Sequence, residues 1–307
     1  MGMSERMEVT VAGVTLKNPV MSASGTFGNG QEYAEFFDLA KLGAVVTKGV
    51  SLTPWEGNPT PRVAETPSGM LNAIGLQNPG IDVFIERELP KLREVREAGT
   101  RIIVNVCGHS VEEYVGVIRR LADEPVDLLE INVSCPNVKE GAIAFGQDPE
   151  MLRDVTKACK NAAKQPVIMK LTPNVTDIRV LARAAEEGGA DAVSLINTLT
   201  GMKIDVERRK FLLANRTGGL SGPAIHPVAV RMVYEAAHAV RIPVIGMGGI
   251  ASGTDAIEMM LAGAAAVAVG TATLHEPAAM PRIIGEMEAY LDRHGIASVR
   301  ELIGAVG

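Results

Sequence analysis

The sequence predicts an α/β chain folded as a (β/α)₈ barrel, and three observations carry that expectation. Eight short, almost continuous apolar segments recur along the 307 residues. Stretches of helical period separate them, and polar side chains gather at the C-terminal ends of the apolar segments. Uninterrupted apolar strands alternating with amphipathic helices mark parallel strands covered by helices, and a count of eight closes a barrel. Residues 1–307 then read as a single domain with long active-site loops at the C-terminal face.

In chain order the strands are PVMSAS at 19–24, AVVTKG at 44–49, RIIVNV at 101–106 and LLEINVS at 128–134. VIMKL at 167–171, AVSLIN at 192–197, VIGMGG at 244–249 and AVAVGT at 266–271 complete the set. Helical periodicity is clearest at 81–98, 111–122, 149–163, 176–188, 226–239 and 277–294. Two connections, 50–80 and 198–225, are too long to be simple links. They hold GNPTPRV, MLNAIGLQNPG and TGGLSGPAI, whose Gly, Pro and Asn residues build ordered turns with exposed amides. Long loops inside a compact domain are usually functional, and in a barrel they share one face with the strand ends.

Composition removes several classes. With 36 acidic and 30 basic side chains the net charge is −6, and no basic run exists, so nucleic acid is an unexpected partner. Cys107, Cys135 and Cys159 are odd in number and show no C-x-x-C spacing, which argues against disulfides and against a cysteine-built metal or iron–sulfur site. No metal is expected. The N-terminus has no apolar run long enough for a signal peptide or a membrane span, and Arg6 stands where a myristoylation signal has Ser or Thr. A reducing cytoplasm and no membrane association follow.

Chemistry concentrates in DLLEINVSCPN, Asp127 to Asn137. Leu128, Leu129, Ile131 and Val133 form an apolar strand, and Pro136 cannot extend a ladder, so the chain turns at Cys135. A lone cysteine packs well as a small hydrophobe. Here Asn132 and Asn137 flank it with amide groups that are costly to bury without ligands, and this favours a catalytic thiol.

Ser24, Lys48, Asn105, Asn132, Lys170 and Asn197 all lie at or near C-terminal strand ends, and a barrel brings them to one mouth. A lysine within an apolar run, as in VVTKGV and VIMKL, must desolvate unless it meets an anion or an electron-rich acceptor. Two lysines, several amides and a thiol suit a flat, polar, anionic ligand beside a cofactor. GMGGIASG at 246–253 and GTATL at 270–274 place glycine-rich turns after strands seven and eight, where barrels bind phosphate. Gly246, Gly248 and Ala251 match G-x-G-x-x-G/A, but they follow a seventh strand, and the next strand ends without the acidic residue that a ribose needs. The turns are therefore read as a phosphate cradle for a mononucleotide.

The segments ASGTFGNGQEY, GNPTPRVAETPSGMLNAIGLQNPG, INVSCPN, KLTPN, INTLTGM, NRTGGLSGPAI, GMGGI and VGTATL resemble the class 1 dihydroorotate dehydrogenases, most of all the NAD-linked class 1B catalytic subunit. The resemblance runs from about residue 9 to the C-terminus. It implies an FMN-binding barrel, one FMN per chain, that oxidises (S)-dihydroorotate to orotate in pyrimidine biosynthesis. Carried over, Cys135 matches the catalytic base. Lys48, Asn72, Asn132, Asn137 and Asn197 match substrate-holding residues, and Ala73, Ile74, Gly75, Leu76 and Thr198 extend that shell. Ser24, Lys48, Gly49, Asn105, Asn132, Lys170, Ile196, Gly222, Gly248, Gly249, Gly270 and Thr271 match the FMN site. Cys107 matches no family role, and packing is its expected task. The family also implies a partner subunit carrying FAD and a [2Fe–2S] cluster that passes electrons to NAD⁺, in a heterotetramer built on a homodimer of this chain. A fumarate-linked class 1A enzyme, a dihydropyrimidine dehydrogenase-like or dihydrouridine synthase-like flavoenzyme, and a non-redox phosphate-binding barrel are the alternatives. Cys135 and the missing N-terminal extension speak against the membrane-associated class 2, which uses a serine base.

Overall fold

Eight parallel strands close into a barrel in the computed structural model, which describes residues 3–133 and 142–307. They are β1 (Val20–Ser22), β2 (Ala44–Val46), β3 (Arg101–Val106) and β4 (Leu128–Asn132), then β5 (Val167–Lys170), β6 (Ala192–Leu195), β7 (Val244–Met247) and β8 (Ala266–Val269). Each pairs with its neighbours in sequence, and β8 pairs with β1 through Val267↔Val20 to close the ring. All of them are buried except Arg101 at the start of β3, which is why they read as unbroken apolar runs. The register sets Asn105 against Glu130, Asn132 against Lys170, and Ser194 against Lys170, so five polar side chains meet inside the C-terminal half of the barrel.

The outer helices are held by the periodicity that predicted them. Tyr114, Val117, Ile118 and Leu121 bury one face of Val111–Leu121, and Leu152, Val155, Thr156 and Cys159 do the same for Pro149–Ala162. Both sets follow the i, i+3, i+4, i+7 rule. Side chains fix the starts: Ser110 accepts from Glu113 N, Asp148 from Glu150 N and Met151 N, and Asp177 from Arg179 N, satisfying first-turn donors. That last cap starts the helix at Ile178, not at 176.

Three further expectations are corrected. The helix expected over 81–98 is broken into Ile81–Val83, a wide turn Phe84–Glu88, a tight turn Leu89–Leu92 and Arg93–Glu97, because Pro90 lacks an N–H and its ring crowds the carbonyl four residues back. A helix not foreseen, Gly253–Leu261, joins β7 to β8 and starts with a Ser252–Asp255 capping box. The two long connections are not merely loops. Their strands Val63–Thr66, Gly69–Asn72, Leu199–Met202 and Thr217–Ser221 form one antiparallel four-stranded sheet, in which Gly69–Asn72 pairs with Thr217–Ser221. A β-carbon on Gly219 would lie 1.9 Å from Thr198 Oγ1, so the glycine is what lets Thr198 sit against this sheet. No helix among the described residues is long and apolar enough to cross a membrane.

Candidate active site

The strand C-termini and the added sheet enclose a cavity of about 500 Å³, within the range of small-molecule sites. In the ring β7, β8 and β1 are consecutive, and β3, β4 and β5 lie across from them. The cavity thus has two chemically different walls.

The first wall is backbone-rich. Ser24 after β1, Gly248 and Gly249 after β7, Gly270 and Thr271 after β8, and Gly222 from the second long connection all line it. Gly248 and Gly249 have φ of 128° and 70°, which L side chains rarely adopt. A β-carbon on Gly249 would stand 2.7 Å from His226 Cβ and 2.9 Å from the Gly222 carbonyl oxygen, so bare backbone is what lets the two segments meet. Thr271 Oγ1 donates to Ser221 Oγ at 2.7 Å, joining β8 to the same segment. His226 Nδ1 lies 2.9 Å from Gly248 O, and its Nε2 lies 3.1 Å from Glu258 Oε2. Arg282 also lines the cavity. Its Nη2 donates to Ala251 O at 3.0 Å, while its guanidinium bonds to Glu276 and Glu286. Those bonds raise the basicity of Arg282, and hydrogen bonding from Arg282 holds the Glu276 carboxyl below its usual range.

The second wall is built of side chains. Lys48, Gly49, Asn132, Lys170, Ile196 and Asn197 line it. Lys170 is 4% exposed and Asn132 5%, so neither charge nor amide is left to bulk water. The Lys48 backbone is fixed by donation to Gly28 O at 2.9 Å and Asn29 Oδ1 at 3.2 Å. A chain of amides crosses the barrel: Asn197 Nδ2 donates to Asn132 Oδ1 at 3.5 Å, and Asn132 Nδ2 to Asn105 Oδ1 at 3.4 Å. It ends on a carboxylate, where Asn105 Nδ2 donates to Glu130 Oε1 at 2.6 Å. Asn72, Ile74, Gly75, Leu76 and Thr198 line the space from the sheet side.

Two expected residues do not reach the cavity wall. Asn105 is fully buried beneath Asn132, and Ala73 is fully buried in a small core with Leu71 and Leu213. Cys135 and Asn137 lie outside the described residues. Cys107 is buried after β3, as packing requires, and burial pushes the Cys159 thiol up to about 12. Sequence reading missed Glu130, Ser194, His226 and Arg282. Glu130 carried a signal, being an acid within the apolar strand LLEINV.

A family model described as Dihydroorotate dehydrogenase matches residues 6–291. The protein named Dihydroorotate dehydrogenase B (NAD(+)), catalytic subunit, of Lachnoclostridium phytofermentans is 61% identical over 298 residues, covering 97% of this chain and 98% of its own length. A relative of the same name from Alkaliphilus metalliredigens is 58% identical, with 98% of each chain covered. Among solved structures, DHODH from Eimeria tenella in complex with ferulenol superposes with a TM-score of 0.84 at 25% identity, over 99% of this chain and 90% of that one.

Proposed function

Because the chain belongs to the dihydroorotate dehydrogenase family, we propose that its cavity holds one FMN with dihydroorotate against it, and that Cys135 is the general base. The protein is an oxidoreductase of the NAD⁺-linked type that oxidises dihydroorotate in pyrimidine biosynthesis. The family is flavin-dependent, and a catalytic subunit by name has a separate partner. The observation that carries the finer reading is the cavity with two walls, glycine turns facing buried lysine and amide side chains.

The residues present fit a flat mononucleotide. Amides of the Gly248–Gly249 and Gly270–Thr271 turns, with Ser24 and Gly222, would hold the phosphate end, since backbone N–H groups at such turns bind anions. Lys48, Gly49, Asn132, Lys170 and Ile196 would hold the ring system, with Asn105 behind them. Asn72, Asn132, Asn137 and Asn197, with Ala73 to Leu76 and Thr198, would hold the substrate's amide edges.

Oxidising the C5–C6 bond of dihydroorotate removes a proton from C5 and a hydride from C6. Cys135 as thiolate takes the proton. Bound FMN supplies the acceptor for the hydride equivalent. Lys170, a buried cation lining the cavity, would stabilise the negative charge that reduction of the bound cofactor brings. Lys48, which also lines the cavity, would bridge the cofactor and the substrate. The four-stranded sheet covers the cavity and limits water.

We place a partner subunit carrying FAD and a [2Fe–2S] cluster on a homodimer of this chain as the route from reduced FMN to NAD⁺, in the cytoplasm. The sequence has three cysteines, fewer than the about four thiolates that most iron–sulfur clusters take, and Cys107 and Cys159 are both buried. The test is the purified single chain. It should be yellow, reduce an artificial dye with dihydroorotate, and fail with NAD⁺ until the partner is added. A colourless protein that regains no flavin on incubation with FMN would sink the cofactor assignment, and rapid NAD⁺ reduction by the single chain would sink the partner assignment.

A further inference from the structure

The mechanism above leaves one buried acid unused. Glu130 on β4 is 2% exposed and lies two residues before Asn132, so both side chains point into the barrel. Its Oε1 accepts from Asn105 Nδ2 at 2.6 Å and lies 3.5 Å from Lys170 Nζ, and its Oε2 accepts from Ser194 Oγ at 2.8 Å. Three strands beside or near β4 thus send a donor to one carboxylate. An ionised carboxylate only accepts. Asn105 must therefore turn its NH₂ toward Glu130 and its Oδ1 toward Asn132. Asn132 in turn gives its NH₂ to Asn105 and its Oδ1 to Asn197, whose NH₂ it receives. Asn197 Oδ1 is then left to accept from Thr198 N, as it does at 2.7 Å. The carboxylate at the base sets the donor sense of Asn105 and, through it, of Asn132 and Asn197.

We propose that Glu130 is a positioning residue for the reaction, fixing the donor sense of the Asn105–Asn132–Asn197 chain and serving as counter-charge to Lys170. Glu130 does not line the cavity and acts through these groups. Its charge has a second effect, because a buried carboxylate beside Lys170 offsets part of the positive potential at the flavin position. Burying the ammonium without it would also leave an uncompensated charge. The inference rests on the reading of the cavity as a flavin and dihydroorotate site.

The test compares wild type, Glu130→Gln and Ser194→Ala as flavin-loaded protein, reading the midpoint potential of the bound flavin and the dissociation constant of orotate. Glutamine keeps the shape, loses the charge and can donate as well as accept. Glu130→Gln should shift the potential to more positive values and weaken orotate by about tenfold, the order of one or two lost amide hydrogen bonds. Ser194→Ala keeps the charge and strips one donor from it, so its potential should move the other way, to more negative values. A merely structural role would move both variants in the same direction. Wild-type potential and orotate affinity in Glu130→Gln would overturn the proposal, and so would a positive shift in Ser194→Ala. If Glu130→Gln does not fold, the sign of the Ser194→Ala shift decides. Wild-type protein that takes up no flavin would count against the cofactor reading and not against Glu130.

Discussion

His226 Nδ1 lies 2.9 Å from the carbonyl oxygen of Gly248, which ties the start of the helix His226–Ala237 to the glycine turn that follows β7. The other ring nitrogen faces Glu258 at 3.1 Å. The imidazole thus anchors a turn whose own residues have no side chains with which to hold it. His226→Ala should keep the fold, because the helix retains its buried face of Ala229, Met232, Val233 and Ala236. It should weaken FMN by roughly fivefold, in line with about 1 kcal/mol for one hydrogen bond. Fluorescence titration of the flavin-free protein checks this, and unchanged affinity would show that the turn holds its shape alone.

Gly249→Val should have a larger effect. The new side chain would strain a backbone with φ of 70° and push against His226 and the Gly222 carbonyl, separating the two segments that flank the turn. Flavin should be lost from a protein whose circular dichroism is close to native. A folded Gly249→Val protein that retains full FMN binding contradicts the cradle assignment.

The three thiols should separate by reactivity. Burial lifts the Cys159 thiol to about 12, and Cys107 is 1% exposed, so neither is open to a reagent near neutral pH. Iodoacetamide on the native protein should label Cys135 alone, and turnover should fall in step with labelling. Turnover should also rise toward alkaline pH, since an unperturbed thiol titrates near about 8.5. Peptide mapping by mass spectrometry reads the sites; full labelling of Cys135 with turnover intact would remove it as the base.

At the opposite end of the barrel, Asp127 and Asp191 repeat one device. Asp127 Oδ2 accepts from Ile102 N at 2.8 Å while Arg96 grips both of its oxygens, and Asp191 Oδ2 accepts from Val167 N at 2.7 Å and from Lys160 at 2.5 Å. Each ties the segment entering one strand to the start of the preceding one, on the face that serves stability. Asp191→Ala should lose about 1–3 kcal/mol, the cost of orphaning part-buried donors, seen as a lower Tm with unchanged KM. A Tm equal to wild type would show that water replaces the carboxylate without loss.

Acid should weaken the contact between Glu276 and Arg282. The Glu276 carboxyl is held below its ordinary range by hydrogen bonds from Arg282. A depressed carboxylate contributes stability that is present above its unfolded value, near about 4.3, and that is lost as pH falls through the lower folded value. The fall in Tm below about pH 4.5 should be shallower in Glu276→Gln than in wild type. Parallel curves for the two proteins would mean that the pair adds nothing under these conditions.

The barrel was legible because burial on both faces leaves β2, β5 and β8 as plain apolar words, and the lysines at 48 and 170 stand out against them. The sheet over the cavity was not, since Thr217–Ser221 contains two glycines and Gly69–Asn72 begins on the glycine of a Pro-Ser-Gly turn, a composition that signals turns. Its pairing partners also come from different ends of the chain, a relation that no local window contains. Helix Gly253–Leu261 was hidden for a different reason: its buried set Gly253, Ala256, Ile257 and Met260 keeps the helical period, but the helix is short and that set opens on a glycine and an alanine, so its apolar face is weak. Glu130 and Ser194 escaped notice because each occupies a single place in an apolar strand, and only the closed ring shows that they face the same point.

The pairing of Asn72 with Gly219 has a consequence for engineering. Barrel enzymes are commonly re-tasked by exchanging one loop at a time, since each loop normally folds on its own strand ends. Here the two long excursions are halves of one part. A donor segment 50–80 grafted from a distant relative would bring a strand whose register was shaped against a different 198–225, and Asn72 would slip from its place. The two segments should therefore be transplanted together, and a chimera receiving only one should bind its ligand worse than either parent, although both parents supply sound sequences.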